Sequence, residues 1–419
     1  MPPPAAALTT EPARTAAPAR RRSRVESGAL VLVGILLVAV NLRAAITSLG
    51  ALLEEVRGGL HLSGALAGVI TTVPAVAFAA FGVLTPWLTR RFPPARVLAG
   101  TMVLLAGGQA LRVATDSPAI FIATSVLALG GIAVANVLLP GLVKQHFPDR
   151  VGLVTGAYTM SMIAGASLAA ATAVPITHAA GTWRAGLGVW ALLAVVAILP
   201  WLPEALRRTA AGRATTTAAE PGGARPRIRP ARTRVGWALV LYFGTQSLSG
   251  YALMGWLAQL FRDAGYSPAT AGLLLAAVTA IGVPVALVMP AVAVRRANLG
   301  GLVLGLSAAM AVGYVGLAVA PHAGAVLWVV ASALGQGAFP LALTMIGMRA
   351  RTSHGTVVLS AFAQSAGYLI GALGPLLVGM LYEASGGWRL PIGFLVAALA
   401  VQTAAGLAAA RPRFVEDGV

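Results

Sequence analysis

The chain has 419 residues, of which 58% are hydrophobic and only 10% are charged. Soluble proteins carry about 25% charged residues, so this composition excludes a water-soluble enzyme and indicates a membrane protein. The net charge of +18 would be typical of a nucleic-acid binder in a soluble chain, so its meaning depends on where the basic residues lie.

Residue counts also exclude several kinds of active site. The chain has no cysteine, and its five histidines are far apart and form no zinc-binding pair. Its one lysine, Lys144, does not end a phosphate-binding loop of the P-loop type. The sequence therefore predicts no enzyme activity, no metal site and no cofactor. Any transport would be driven by a gradient or by a separate subunit.

Twelve apolar stretches are long enough to be membrane-spanning helices. They lie near residues 29–53, 63–88, 96–114, 118–143, 151–176, 184–202, 235–260, 268–293, 299–319, 323–347, 356–381 and 388–409. Residues 1–27 are rich in Pro, Ala and Arg and are predicted to form a disordered tail. We expect one six-helix bundle at 28–202, a basic linker at 203–234, a second bundle at 235–410 and a short tail at 411–419.

The two halves repeat one another at a nearly constant offset. Arg90-Arg91 precede Arg295-Arg296 by 205 positions, and Trp183-Arg184 precede Trp388-Arg389 by the same distance. Each Trp-Arg pair also follows a glycine by two residues. An offset shared by separate landmarks predicts two six-helix units related by pseudo-two-fold symmetry.

The charges fit one orientation in the membrane. When the helices alternate from a cytoplasmic N-terminus, 24 of the 30 basic residues lie on the cytoplasmic side and five lie opposite, Arg112 among them. This asymmetry follows the positive-inside rule, so both termini are predicted to be cytoplasmic in a bacterial cytoplasmic membrane. The one cation left within a helix is Arg43.

Arg43 is the main candidate for binding a substrate. It lies near the middle of the first predicted helix, and no acidic residue occurs at a comparable depth in any of the twelve. An intramembrane charge is costly and by default functional, and a guanidinium suits an anionic or strongly polar ligand. The alternative is an arginine that binds backbone carbonyls and clamps helices.

Other polar and aromatic residues are candidates for the same site. They lie in the first, fourth, fifth, seventh and tenth predicted helices: Asn41, Asn136, Gln246 and Gln336, with Tyr158, Tyr251 and Trp256 as aromatic walls. Amides in membranes also join helices, and aromatic residues near helix ends belong to the interfacial belt, so each has a structural alternative. Pro140 and Pro340 follow the amides of the fourth and tenth helices and are candidates for gating, or else static kinks.

Proton coupling requires a group that titrates, which arginine does not. The candidates are Glu54, Glu55 and His178, although solvated charge at a helix end explains each of them as well.

Several motifs resemble a known family. Asn41-Leu42-Arg43, Asn136 to Pro140 and Phe147-Pro148-Asp149-Arg150 look like the cyanate/nitroimidazole (CynX/NimT-type) branch of the major facilitator superfamily. The resemblance implies an all-α membrane protein with the major facilitator fold, in which twelve transmembrane helices form two six-helix bundles. It also implies that the first, fourth, seventh and tenth helices line the central cavity.

These observations predict a secondary active transporter that moves a small polar or anionic solute by alternating access. We expect it to act as a monomer in the lipid bilayer without binding nucleic acid. Two alternatives stay open: a multidrug or nitroimidazole exporter, and a membrane-anchored binder of anionic lipid or nucleic acid that uses the Arg-rich segments.

Overall fold

The structure, a computed structural model, describes residues 17–62, 73–74, 76–206 and 228–418. Residues 1–16 of the predicted tail and 207–227 of the predicted linker lie outside the described residues. The described part of the linker includes helical residues Leu202–Leu206 and a 3-10 turn at Pro230–Arg232.

Helices account for nearly all of the described first half. They are α1 (Ala17–Ala51), α2 (Leu53–Gly59), α3 (Thr85–Arg91), α4 (Pro94–Val113), α5 (Pro118–His146), α6 (Val151–Ala180) and α7 (Trp183–Ile198). Helix α1 begins at Ala17, eleven residues before the predicted start of the first bundle at residue 28. Pro18 suits a first helical turn, and the alanines and arginines after it favour a helix. Residues 76–82 are also helical and end at a turn before α3. Pro86 explains this turn, since it has no N–H to donate to the Gly82 carbonyl.

The second half repeats this arrangement. Its helices are α8 (Arg234–Asp263), α9 (Pro268–Ala293), α10 (Gly300–Val319), α11 (Ala325–Gly335), α12 (Ala338–Met348), α13 (Ser353–Ser385) and α14 (Arg389–Ala410). The tenth predicted helix is therefore broken between α11 and α12. Within the described residues, nine helices are long and apolar enough to cross a bilayer.

Equivalent helices pack in equivalent ways in the two halves. Helix α1 packs on α6 as α8 packs on α13, and α4 packs on α5 as α10 packs on α11. Gly181 and Gly386, the glycines before the two Trp-Arg pairs, both have left-handed backbones, with φ of 68° and 64°. Each one ends a long helix, because glycine adopts this conformation without steric cost.

The halves are joined at one end of the molecule, which we call the basic end because it carries Lys144 and Arg349. The Lys144 ammonium donates to the backbone carbonyls of Gly347 and Ala350, in the other half. Helix α6 also lies directly against α9 here, so close that a Cβ on Gly156 would lie 2.3 Å from the Leu287 carbonyl oxygen. Glycine is what allows these two backbones to approach.

The apolar core divides towards the opposite end. The largest cluster of buried residues contains side chains of both halves, such as Leu139 of α5 and Leu341 of α12. Two smaller clusters each belong to one half: one surrounds Leu52 and Trp183, and the other surrounds Leu257 and Ile392. The described packing is thus continuous between the halves at the basic end and separate in each half at the opposite end.

Candidate functional site

Arg43 lies between the two halves. The residue is half-buried in α1, and its Nη1 donates to the Tyr251 hydroxyl of α8 at 3.1 Å. Its guanidinium carbon is 5.8 Å from the ring centroids of both Tyr251 and Phe339, within the range of cation–π attraction. The ion pairs that the structure describes lie elsewhere, at Arg184–Asp116 and Arg351–Asp417. The charge of Arg43 therefore faces phenol and phenyl groups of the other half and is available to an anion.

Asn41 does not share this environment. Its side chain is buried and donates to the Leu37 carbonyl at 2.9 Å and to the Leu193 carbonyl of α7 at 3.3 Å. Two positions along an α-helix turn a side chain by about 200°, so Asn41 and Arg43 point in nearly opposite directions. The geometry is that of an amide joining α1 to α7.

Asn136 links the halves on another side of the site. Its Nδ2 donates to the hydroxyl of Tyr368, in α13, at 2.9 Å. The Tyr368 ring packs between Phe78 and Phe243, with centroid distances of 4.9 and 5.0 Å. Phe243 in turn packs at 5.7 Å on Phe339, the ring that faces Arg43, so Tyr368 belongs to the site although it was not among the predicted residues.

Tyr158 and Tyr251 also lie around this centre. Tyr251 is the partner of Arg43, whereas the Tyr158 hydroxyl is buried and has no hydrogen-bond partner within the described residues. Tyr158 and Tyr368 belong to the same cluster of buried residues. Of the three phenols, Tyr251 is the one with a described hydrogen bond to Arg43.

Each of the two prolines follows an amide residue at the same spacing. Pro140 follows Asn136 by four residues, and Pro340 follows Gln336 by four. A proline has no N–H for the carbonyl four residues earlier, so neither amide residue has its usual helical hydrogen bond at the carbonyl. The Gln336 carbonyl instead accepts from the Phe339 N–H at 3.1 Å. In α5 the helix stays continuous and Gln364 of α13 donates to the Asn136 carbonyl at 3.5 Å. In the second half the helix breaks at Gln336 itself.

Gln246 and Gln336 form a network inside the second half. Gln246 donates to the Gln336 Oε1 at 2.6 Å and accepts a hydrogen bond from Gln402 of α14 at 3.0 Å. The Nε2 of Gln336 and the Oε1 of Gln402 are buried and have no partner within the described residues. These two candidate residues therefore lie together, and Gln402 joins them from the twelfth predicted helix, from which no candidate residue was chosen.

Four predicted residues lie away from this centre. Trp256 donates to the Pro375 carbonyl at 2.9 Å and packs beside Trp388 at the end opposite the basic end. His178 is exposed near the end of α6, Glu55 lies in the separate short helix α2, and the Glu54 side chain is outside the described residues.

Arg112, which was counted among the charges on the non-cytoplasmic side, is buried. Arg112 is only 2% exposed, and its Nη1 lies 3.5 Å from the Ala45 carbonyl of α1. The residue is the last but one of α4, and the side chain turns inward from there. The first half therefore contains a second buried arginine besides Arg43.

Comparison with known proteins extends these findings. The model of the Major Facilitator Superfamily matches residues 31–375. The chain is 36% identical to the 2-nitroimidazole transporter of Escherichia coli (strain K12), with 87% of this chain and 91% of the relative covered. It is 30% identical to the cyanate transport protein CynX of the same strain, with coverage of 87% and 93%. The solved structure of the proton:xylose symporter XylE, at 14% identity, has a TM-score of 0.69 and covers 95% of this chain and 98% of its own. The likeness in fold extends over both halves, as the internal repeat predicts.

Proposed function

The chain belongs to the Major Facilitator Superfamily, and we propose that, as a secondary transporter of this family, it carries a small anion that binds at Arg43. The multi-pass fold and the transporter relatives establish the general activity, the movement of small solutes across a membrane, and confirm the resemblance to the cyanate/nitroimidazole branch. The proposal concerns the chemistry of the solute and the residues that bind it.

The observation that supports the proposal is the position of Arg43 between the halves without a described carboxylate partner. A solute bound there contacts α1 of one half and the Tyr251 hydroxyl of the other. Alternating access requires such a solute, because the two halves then move relative to each other around a ligand that both of them hold. Asn136 and Tyr368 supply a second polar connection between the same halves.

The chemistry of the site favours a small, flat or linear anion. A guanidinium presents parallel N–H donors, and the neighbouring phenols add single hydroxyl donors. Cyanate, named for one relative, is a monovalent anion of this kind. A nitro group, as in the solute named for the other relative, presents two acceptor oxygens in one plane.

Export of a nitroheterocycle is the second candidate, and the aromatic side chains around Arg43 support it. The rings of Tyr251 and Phe339 lie at equal distances of 5.8 Å from the guanidinium carbon. Two such rings offer stacking surfaces to a flat heterocycle while Arg43 binds its nitro group.

Orientation, assembly and coupling belong to the proposal as well. We place the basic end in the cytoplasm of a bacterial cell, because an excess of Lys and Arg is typical of the cytoplasmic side. We also propose that the protein transports as a monomer. Glu54, Glu55 and His178 stay the proton-coupling candidates. Glu55 and His178 lie at the end where the apolar core is divided between the halves.

A ligand screen by thermal stability tests the proposed solute class. Purified protein is heated with cyanate, thiocyanate, nitrite and 2-nitroimidazole, and with neutral urea and imidazole as matched controls. Binding to the folded state alone raises the unfolding midpoint as the ligand concentration rises. We expect at least one anion or the nitro compound to raise the midpoint while urea and imidazole do not. A shift with the neutral controls of the same size contradicts an anion site.

A cross-link tests the closure of the basic end. A Cβ on Gly347 would lie 3.9 Å from Cγ1 of Val151, in the other half, and the natural chain has no cysteine to interfere. In the double variant Val151→Cys/Gly347→Cys, a short bifunctional thiol reagent should join the halves and abolish transport in reconstituted vesicles. Reduction of the linker should restore transport. The two single variants, treated in the same way, are the controls, and transport that continues after complete cross-linking contradicts alternating access at this end.

A further inference from the structure

A cavity of about 170 Å³ lies within the first half, apart from the contact between Arg43 and Tyr251. It is enclosed by α1, α4, α5 and residues 73–74, and its lining is mostly apolar, with side chains such as Ile46 and Leu129. A cavity needs only about 30 Å³ for each water molecule, so this one has room for a small ligand of several atoms.

Two polar side chains that line the cavity lack partners. Arg112 is 2% exposed and Ser125 is 4% exposed. Within the described part of the chain, the Nε and Nη2 of Arg112 and the Oγ of Ser125 make no hydrogen bond. The one described bond of Arg112, from Nη1 to the Ala45 carbonyl, is long at 3.5 Å. Most of the donors on this guanidinium are therefore free.

A helix clamp does not account for this arrangement. An arginine that clamps helices satisfies several of its five donors with backbone carbonyls, as Arg349 does with Ala409 and Ala410 at 2.8 and 2.7 Å. Arg112 has a single weak contact and a cavity beside its free donors. A buried charge without a partner is costly, so an acceptor that carries negative charge is the most favourable partner for the remaining donors.

The cavity lies beside Arg43 along the first helix. Ile46 and Gly50, which line it, follow Arg43 by three and seven residues and so lie on the same face of α1. With a rise of 1.5 Å per residue, they are about 4.5 and 10.5 Å further along the helix, away from the basic end. Arg43 and the cavity beside Arg112 thus lie at two successive depths along the axis of α1.

We propose that Arg112 and Ser125 form a second anion site, in which the guanidinium and the hydroxyl bind a small monovalent anion inside the first half. The anion accepts hydrogen bonds from Nε and Nη2 of Arg112 and from the Ser125 hydroxyl, and the apolar walls exclude larger or divalent ions. This site is separate from Arg43 and does not depend on what Arg43 binds.

Iodide titration tests the site without a transport assay. Purified protein in chloride-free gluconate buffer is titrated with iodide, and the unfolding midpoint is followed against the same concentrations of gluconate. We expect iodide to raise the midpoint of the natural protein and of Arg43→Ala, and to have no such effect on Arg43→Ala/Arg112→Gln, in which neither arginine is left to bind it. In Ser125→Ala, the iodide concentration that gives half of the effect should rise by about fivefold, since one hydrogen bond to the anion is lost.

Arg389→Gln is the matched control, because Arg389 is an exposed arginine at the end away from the basic end, and it should respond as the natural protein does. An iodide effect that survives in Arg43→Ala/Arg112→Gln overturns the proposal, and so does an Arg43→Ala protein without any effect. If Arg112→Gln does not fold, an unchanged half-effect concentration in Ser125→Ala overturns it instead. A response that Arg43→Ala removes and Arg112→Gln keeps assigns the anion to Arg43 alone, which rejects this site and leaves the proposed function intact.

Discussion

Arg43→Ala is expected to lower substrate affinity and transport by about a hundredfold. Truncating one partner of a buried, hydrogen-bonded charge pair costs about 2–5 kcal/mol, and 2.8 kcal/mol corresponds to a factor of about a hundred. Arg43 is a charged group at the contact between the halves, and its described hydrogen bond is to the Tyr251 hydroxyl alone. Binding is measured by the thermal shift with the best ligand of the anion panel, and transport by uptake into vesicles.

Conservative variants separate the charge of Arg43 from its shape. Arg43→Lys keeps the charge but loses the parallel donors, so it should recover only part of the affinity. Tyr251→Phe removes a single hydroxyl and should cost about tenfold or less. Without ligand, each variant should unfold at nearly the midpoint of the natural protein. Full binding by Arg43→Ala would reject Arg43 as the anion site, and full recovery by Arg43→Lys would reject the need for a guanidinium.

The internal repeat made the overall fold predictable. Landmarks such as Trp183-Arg184 and Trp388-Arg389 recur at one offset because each half has the same helices and the same turns between them. The glycines before these pairs end long helices in the same left-handed conformation, so a local pattern in the sequence reports a local backbone requirement. The length and hydropathy of the apolar stretches predicted the bounds of most helices to within a few residues. The thickness and apolar interior of a bilayer determine both properties.

The contacts of single side chains were less predictable. Arg43 was found because a charge inside a helix is rare, and Tyr251 proved to be its partner. Tyr368 and Gln402 gave no signal, because buried phenols and amides are ordinary in membrane helices and their roles depend on which helix lies opposite. Asn41 is another case in which the sequence did not predict the contact. It lies two residues from Arg43, but its side chain points in nearly the opposite direction and binds α7.

Arg112 shows why a charge near a helix end is ambiguous. Its place close to the end of α4 fits a solvated charge at the membrane interface, and only the inward turn of the side chain distinguishes it. Long arginine side chains reach either the interface or the interior from such a position. One signal was present in the sequence: the amide of Gln109 precedes Arg112 by one turn, and it too is buried and bonded to a carbonyl, that of Trp190.

The second large effect is expected from Gly156→Ala, at the contact between α6 and α9. A Cβ there would lie 2.3 Å from the Leu287 carbonyl oxygen and 3.1 Å from its carbon, and backbone atoms do not move aside as a flexible side chain does. Overpacking of this kind costs about 1–3 kcal/mol, which shifts a two-state equilibrium by roughly five- to 150-fold. The added methyl group should therefore drive the halves apart at the basic end and slow transport by at least about fivefold. Substrate binding at Arg43 is retained.

The cysteine pair at positions 151 and 347 measures this shift directly. In Gly156→Ala the yield of cross-linking between the halves should fall together with the transport rate. Gly305→Ala is the matched control, because a Cβ at Gly305 in α10 meets no atom within 4 Å, and both yield and rate should stay unchanged. Alanine favours a helix over glycine by about 1 kcal/mol, so loss of helix stability does not explain a slower Gly156→Ala variant. If cross-linking and transport both match the control, then contact between α6 and α9 at this glycine is not part of the transport cycle.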